Sequence, residues 1–312
     1  MTGPVSPDIS QPELFDLLAG IGRERAGPGG TPPPEPLYDR HGVLVVRVGG
    51  VVVKAHQADR GDDPDLGRRV ALAGDLPELF AAPLGPPLRV TGGFGERTVT
   101  VTAFGEPVRP DDLPWEAAAR LLAGLHRRPV PPDAPGWGRP TRVARLVERL
   151  PDGPAAGEVR RAFATLPAWI REGSPDPEPA GEHLIHGDWH LGQMVRLPDG
   201  SWRFIDVEDL GRGDPVWDLA RPAALYSAGV LRPADWTAFL TSYRAAGGPA
   251  VPLLGDPWAR LDIPARTLAI QIAATCVISA RGTDRPLDEA ETALVDACTR
   301  ISRMVAVNTG PT

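Results

Sequence analysis

The sequence predicts an α+β fold, with a small antiparallel β-sheet in its first third and a larger helical region after it. Three observations carry that reading. Two β-hairpin patterns occur between residues 43 and 103, each turning at paired or clustered glycines. Composition shifts after Phe104-Gly105-Glu106-Pro107. Beyond that point apolar residues recur mainly at three- and four-residue spacing, the period of a helix with one buried face. The boundary falls near residue 105 and divides the chain into 1–105 and 106–312.

Each element has its own signal. Ser10 followed by Glu13 reads as a capping box; Pro12 is tolerated in the first turn, and Leu14, Phe15, Leu17 and Leu18 give an apolar stripe that ends near Gly20. A proline- and glycine-rich connector follows over 26–36. Residues 43–48 and 51–54 are strands joined by Gly49-Gly50, whose positive φ values suit a tight hairpin. A helix is expected over 66–73, then a second hairpin from 88–91 to 97–103 around Gly92, Gly93 and Gly95. Helical patterns then cover 113–127, 142–150 and 159–170, with His126 at the end of the first, where the helix dipole favours it. Short extended runs at 184–185 and 202–205 interrupt them. From Trp217 the pattern is helical to about residue 308, with loops at 247–256 and 282–286.

Composition excludes several classes. The chain has 312 residues, 33 basic and 40 acidic, for a net charge of −7, and no basic run. It therefore has no general electrostatic pull toward nucleic acid or an anionic membrane surface. Its 35 glycines and 37 prolines make it rich in turns, but apolar periodicity persists throughout, as in a globular chain. Two cysteines, Cys276 and Cys298, in apolar helical segments make neither a disulfide framework nor a zinc cage. With no basic and apolar leader at the N-terminus, the expected location is cytoplasmic. The most apolar segment, 268–280, is shorter than the roughly 20 residues that span a bilayer. One lysine stands among the 33 basic residues, Lys54, on the second strand of the first hairpin. A compact ammonium at that single place, where arginine serves everywhere else, points to a need for it there.

Chemistry concentrates in residues 183–221. His186-Gly187-Asp188 is followed by Gln193 five residues after the aspartate, then Asp206-Val207-Glu208, Asp214-Pro215 and Asp218-Leu219-Ala220. Asp188 and Asp206 each follow a short apolar run, Leu184-Ile185 and Phe204-Ile205, and so stand just past strand ends. Carboxylates and a side-chain amide are hard oxygen ligands suited to Mg²⁺, and a single aspartate can orient and deprotonate a hydroxyl.

This segment resembles the aminoglycoside phosphotransferase and choline kinase superfamily, whose members carry HGD-xxxx-N followed by an aspartate-bearing metal segment. The resemblance covers about residues 36–225 and implies a bilobal, protein-kinase-like fold with a nucleotide-binding N-terminal lobe (1–105) and a helical lobe for catalysis and acceptor binding (106–312). It implies a kinase that moves the γ-phosphate of ATP or GTP, with Mg²⁺, to a hydroxyl of a small molecule such as an aminoglycoside or other antibiotic, a sugar or an amino sugar. On these positions Asp188 is the catalytic base and His186 supports its loop. Gln193 and Asp206 are Mg²⁺ ligands, with Glu208 assisting, and Asp218 anchors the loop from a helix start. Lys54 holds the α- and β-phosphates, and Phe104 and Gly105 form the adenine hinge.

The sequence departs from the family pattern in three places. Gln193 stands where asparagine is usual; the motif from His186 to Gln193 is similar in this to that of actinobacterial maltokinases. The helix after Lys54 shows Gly67-Arg68-Arg69-Val70 where a glutamate partner for the lysine is expected, leaving Asp62, Asp63, Asp65 and Glu78 as substitutes, or pairing only on nucleotide binding. No glycine-rich loop precedes Val43, so the phosphate-covering turn is the short Asp39-Arg40-His41-Gly42. Two other readings stand beside the kinase: a non-catalytic, kinase-like nucleotide-binding module, and a non-haem iron site built from His186, Asp188 and His190 on one face of a strand.

Overall fold

The structure is a computed structural model of the chain and describes residues 11–27, 32–40, 42–58, 64–138, 141–174 and 181–308. In chain order the first elements are α1 (Pro12–Ala26), β1 (Glu35–Arg40), β2 (Val43–Val48), β3 (Val51–Ala55), α2 (Leu66–Gly74), β4 (Leu88–Gly92) and β5 (Gly95–Ala103). Next come β6 (Glu106–Pro107), α3 (Trp115–His126), α4 (Thr141–Glu148), α5 (Pro154–Phe163), α6 (Ala168–Arg171), β7 (His183–Ile185), β8 (Met194–Arg196), β9 (Trp202–Phe204) and β10 (Gly211–Gly213). The chain continues through α7 (Val216–Ala228), α8 (Pro233–Ala245), α9 (Trp258–Gly282) and α10 (Glu289–Asn308). The mixed composition expected from the sequence, an antiparallel N-terminal sheet and a larger helical part, is what the structure shows.

These elements divide into two units, both discontinuous in sequence. The first comprises Met1–Asp112, Asp133–Pro135 and Gly192–Glu208; the second comprises Leu113–Pro132, Gly136–Leu191 and Asp209–Thr312. The motif segment 183–221 is therefore shared, its middle belonging to the first unit and its flanks to the second.

In the first unit five strands pair antiparallel in the order β1-β2-β3-β5-β4. Strand alternation sorts the valine-rich β2 and β3 into two faces. Val46, Val48, Val51, Val53 and Ala55 are buried with Leu14 and Leu18 of α1 on one face. Val52 and Lys54 stand half-buried on the other. Helix α1 runs six residues past Gly20 because Gly22 packs on the sheet: a Cβ there would lie 2.5 Å from Val48 Cγ2. Its start differs from the expected capping box too. The helix begins after Gln11 without a side-chain cap, Ser10 lies outside the described residues, and Glu13 Oε1 instead accepts the Gly93 N–H of the β4–β5 turn at 3.1 Å. Strand β1 was hidden by Pro36 and the proline-rich stretch before it; as an edge strand with a register shift between Pro36 and Tyr38 it tolerates the missing donor. A second, three-stranded sheet in the order β6-β8-β9 completes this unit.

The second unit is helical apart from the antiparallel pair β7 and β10. Helix α9 packs on α7 and α10, α3 on α8, and α10 on α5. The pattern over 159–170 is two helices, α5 and α6, because Pro167 restarts the chain before Ala168. Helix α9 has 25 residues, longer than its apolar stretch in the sequence, and by length and composition alone it is sufficient to cross a membrane. In this fold more than half of its most apolar stretch is buried, with Leu261, Leu268, Ile270 and Val277 in the core. Burial pushes the thiols of Cys276 and Cys298 up to about 11 and about 12, which keeps both protonated and poor nucleophiles.

Gly22→Val is expected to force α1 off the sheet and to cost about 1–3 kcal/mol, the usual range for overpacking a filled core. Urea unfolding of the full chain measures it, and an unchanged midpoint would show that α1 does not pack on Val48.

Candidate active site

The site residues fall into two groups, one in each unit. In the first unit, β3 brings Lys54 opposite Thr100 of β5. The ammonium lies 3.0 Å from Asp206 Oδ1 and 2.7 Å from Glu208 Oε1. Both carboxylates arrive on the segment after β9. Phe204 is fixed by main-chain bonds to Leu79 and Ala81, and the Ile205 N–H donates to the Gln193 carbonyl at 2.9 Å. The chain then bends at Asp206 with φ +62°, a left-handed conformation rare outside glycine and tolerated best by Asp and Asn. Gln193 sits in the 3-10 turn Leu191–Gln193, and its amide nitrogen donates to Asp206 Oδ2 at 3.1 Å.

A further residue belongs to this group. His56 is 2 % exposed; its Nδ1 lies 2.6 Å from Glu208 Oε1 and its Nε2 2.9 Å from Thr100 Oγ1. Sequence reasoning passed over it, although its two-residue spacing from Lys54 puts both side chains on one face. Charge is stabilised throughout the cluster. Burial opposes the Lys54 ammonium, but Asp206 and Glu208 outweigh it and hold the lysine above its ordinary value. Burial likewise opposes ionised Glu208, yet the His56 hydrogen bond and the Lys54 charge hold its carboxyl well below the usual range.

The expectation of a lysine partner on or near the helix that follows Lys54 is thereby corrected. Lys54 is paired before any nucleotide binds, and its partners come from far downstream, Asp206 by 152 residues. Helix α2 does present Arg68 and Arg69, and Asp65 lies 3.7 Å from Arg68. Asp62, Asp63 and His41 fall outside the described residues. Phe104 and Gly105 join β5 to β6. The Arg47 guanidinium lies 3.5 Å from the Phe104 ring centroid, and a Cβ on Gly105 would meet Val195 Cγ2 at 2.7 Å, so this close approach to β8 requires glycine.

In the second unit the pairing of β7 with β10 delivers the chain to His186-Gly187-Asp188. Gly187 turns with φ +84°, and a Cβ there would lie 2.3 Å from the Asp209 carbonyl oxygen. Asp218, 1 % exposed near the start of α7, accepts the His186 N–H at 2.7 Å and the Gly187 N–H at 2.8 Å, and so holds the turn that carries Asp188. His126 ends α3, the helix C-terminal place expected for it, and side chains hold it there as well. It is fully buried, with Nε2 3.0 Å from Asp218 Oδ2 and Nδ1 2.7 Å from the Tyr243 hydroxyl. The directions of these bonds follow from the donors available. An ionised Asp218 only accepts, so His126 donates from Nε2; Nδ1 then accepts the hydrogen bond that the Tyr243 O–H donates, and the Tyr243 oxygen accepts the Ala250 N–H at 3.1 Å. Burial raises the Tyr243 pKa and keeps that proton in place. Asp188 itself accepts from Arg221 at 2.9 Å.

The iron reading is overturned. Strand β7 ends at Ile185, so His186, Asp188 and His190 do not share a strand face. Among the described residues no three His, Cys, Asp or Glu side chains are placed together to hold a metal ion. The first unit's donors do fit Mg²⁺ by chemistry: the Asp206 carboxylate and the Gln193 amide oxygen are hard ligands, and Lys54 offsets only one of two carboxylate charges.

The sequence model of the APH family, described as "Phosphotransferase enzyme family", matches residues 75–262. Among solved structures, the chain is similar to a choline/ethanolamine kinase family protein from Mesorhizobium loti, with 20% identity, a TM-score of 0.55, and 95% of each chain covered. It is similar to a choline kinase from Streptococcus pneumoniae at 14% identity and TM-score 0.56, over 93% of this chain and 98% of that one. A thermostable aminoglycoside phosphotransferase mutant in ternary complex with AMP-PNP and hygromycin B matches at 14% identity and TM-score 0.56, over 92% and 97%. These likenesses show a shared fold.

The Lys54–Glu208 pairing has a pH signature. Glu208 titrates below its ordinary 4.5 in the folded chain, so its contribution to stability is present above that pH and lost as pH falls below it. Lys54 titrates above its ordinary 10.5, so its contribution is present below that pH and lost as pH rises through the folded value. Melting curves are expected to show wild type losing its advantage over Glu208→Gln below pH 4.5; a constant gap would mean the pair carries no stability.

Proposed function

The chain belongs to the phosphotransferase enzyme family, and we propose that it transfers the γ-phosphoryl group of ATP or GTP to a hydroxyl of a small molecule. The observation that carries this reading is the cluster in which Lys54 meets Asp206 and Glu208 while Gln193 meets Asp206. A buried cation beside carboxylate and amide oxygens is what binding a nucleotide's phosphates with a divalent ion requires.

In this reading Lys54 holds the α- and β-phosphates, and Phe104 and Gly105 form the adenine hinge. Gln193 and Asp206 would hold Mg²⁺, with Glu208 near them; the bound ion supplies charge neutralisation at the phosphates. Asp188 orients the acceptor hydroxyl and takes its proton as the new O–P bond forms and the bond to the β,γ-bridging oxygen breaks, releasing the nucleoside diphosphate. Arg221 pairs with that carboxylate at 2.9 Å and holds it in place. His186 and Asp218 keep the turn rigid, so Asp188 is presented without reorganisation. The acceptor class is an antibiotic such as an aminoglycoside, a sugar or an amino sugar, and the setting is cytoplasmic, with neither nucleic acid nor membrane as partner.

The test is phosphate transfer from ATP and GTP against a panel of such acceptors. Asp188→Asn is expected to lower turnover by about 10²–10⁴, the usual worth of a positioned base; undiminished turnover would remove Asp188 from the mechanism. A thermal shift with nucleotide and Mg²⁺ but no transfer to any acceptor would replace the kinase with the non-catalytic binding module.

A further inference from the structure

We propose that Thr100, His56 and Glu208 form a relay that positions Lys54 for the nucleotide phosphates, with Glu208 taking the place of the helix glutamate that α2 lacks. The proposal rests on the reading above, in which Lys54 binds those phosphates.

The relay follows from the strand ladder. Lys54 and His56 point to one face by alternation, and Thr100 is the cross-strand neighbour of Lys54. The ladder extends past β3, because the His56 N–H donates to the Thr98 carbonyl at 2.9 Å, and this fixes the His56 backbone. An ionised carboxylate only accepts, so His56 Nδ1 carries the proton in its 2.6 Å bond to Glu208 Oε1. With Nδ1 protonated, a neutral ring accepts the Thr100 hydroxyl proton at Nε2, 2.9 Å away. The carboxylate thus selects the ring tautomer, the hydroxyl holds the ring from its other side, and the ring in turn fixes the carboxylate.

Both the imidazole and the ammonium bond the same atom, Glu208 Oε1. A glutamate on the stretch after β9 would otherwise sample several rotamers and hold the lysine only part of the time. The second lysine partner, Asp206, is also bonded to Gln193 and belongs to the proposed metal set, so its hold on Lys54 is shared. Glu208, locked from behind by a histidine that is 2 % exposed, remains as the dedicated partner. His56 is therefore a positioning residue that acts through Glu208 without touching substrate.

The experiment is a double-mutant cycle on the full chain, read as the AMP-PNP dissociation constant with Mg²⁺ by calorimetry, together with nucleotide and acceptor KM values. His56→Phe is expected to weaken nucleotide binding by about tenfold and Thr100→Val by about threefold, the scale of losing a hydrogen bond to a charged and to a neutral group. Acceptor KM is expected to stay as in wild type. His56→Asn, whose amide can stand in for Nδ1–H, is expected to recover most of the affinity, and His56→Gln to recover less. Adding His56→Phe to Glu208→Gln is expected to cost nothing further, because the histidine works through the carboxylate. Additive effects, or wild-type affinity in His56→Phe, would reduce His56 to packing. Should His56→Phe fail to fold, Asn no better than Gln overturns the relay. Wild type that binds no nucleotide would instead overturn the phosphotransferase reading, and the relay with it.

Discussion

A single buried ammonium organises the first unit. Lys54 is charged although largely removed from water, and such a charge is tolerable only beside compensating ones. Both compensating groups stand on the segment after β9, so the three-stranded sheet that carries this segment is tied to the five-stranded one by charge, while Phe204 packs on Phe80 from the stretch between α2 and β4. The positive φ at Asp206 belongs to the same requirement: without that bend the carboxylate would follow the strand direction instead of turning to the lysine and to Gln193. Local backbone strain of this kind persists where the surroundings over-determine it.

The second unit solves a different problem, how to hold a glycine turn rigid with a carboxylate at its tip. Asp218 does this by accepting two consecutive backbone N–H groups, and it is itself fixed by His126 and, behind that, Tyr243. Each group in the series has the partner its chemistry demands, which is why a polar chain this deeply buried is stable. Trp137 adds a further restraint through its indole N–H on the Gly187 carbonyl.

Much of this was legible in the sequence because local patterns carried it. The hairpins at Gly49-Gly50 and Gly92-Gly93, the helical period after residue 113, and the spacing of Asp188, Gln193, Asp206 and Asp218 are all short-range signals. The partners of Lys54 were not legible, because nothing local links residue 54 to residues 206 and 208; the family pattern directed attention to α2, where arginines stand. His126 was placed at its helix end, but its partners were not legible, for a similar reason: a histidine there looks the same whether solvent or Asp218 faces it. Gly20 gave a false stop to α1, since a glycine inside a helix and one at its end have the same letter, and the contact of Gly22 with Val48 is a tertiary fact. His56 carried a signal in its spacing from Lys54, but period-two alternation marks a face without saying what that face meets.

The return of residues 192–208 to the first unit bears on the order in which the protein comes into being. During synthesis the N-terminal strands emerge early, and Lys54 emerges with them. Its counter-charges lie 152 residues later for Asp206, after most of α3 through β9 has been made. Until then the sheet carries an ammonium whose burial nothing repays, and water must remain on that face. Completion of the first unit is thus deferred until a stretch of the chain embedded among helical segments has left the ribosome, so a truncated product ending before residue 192 carries the lysine but neither of the carboxylates that pair with it.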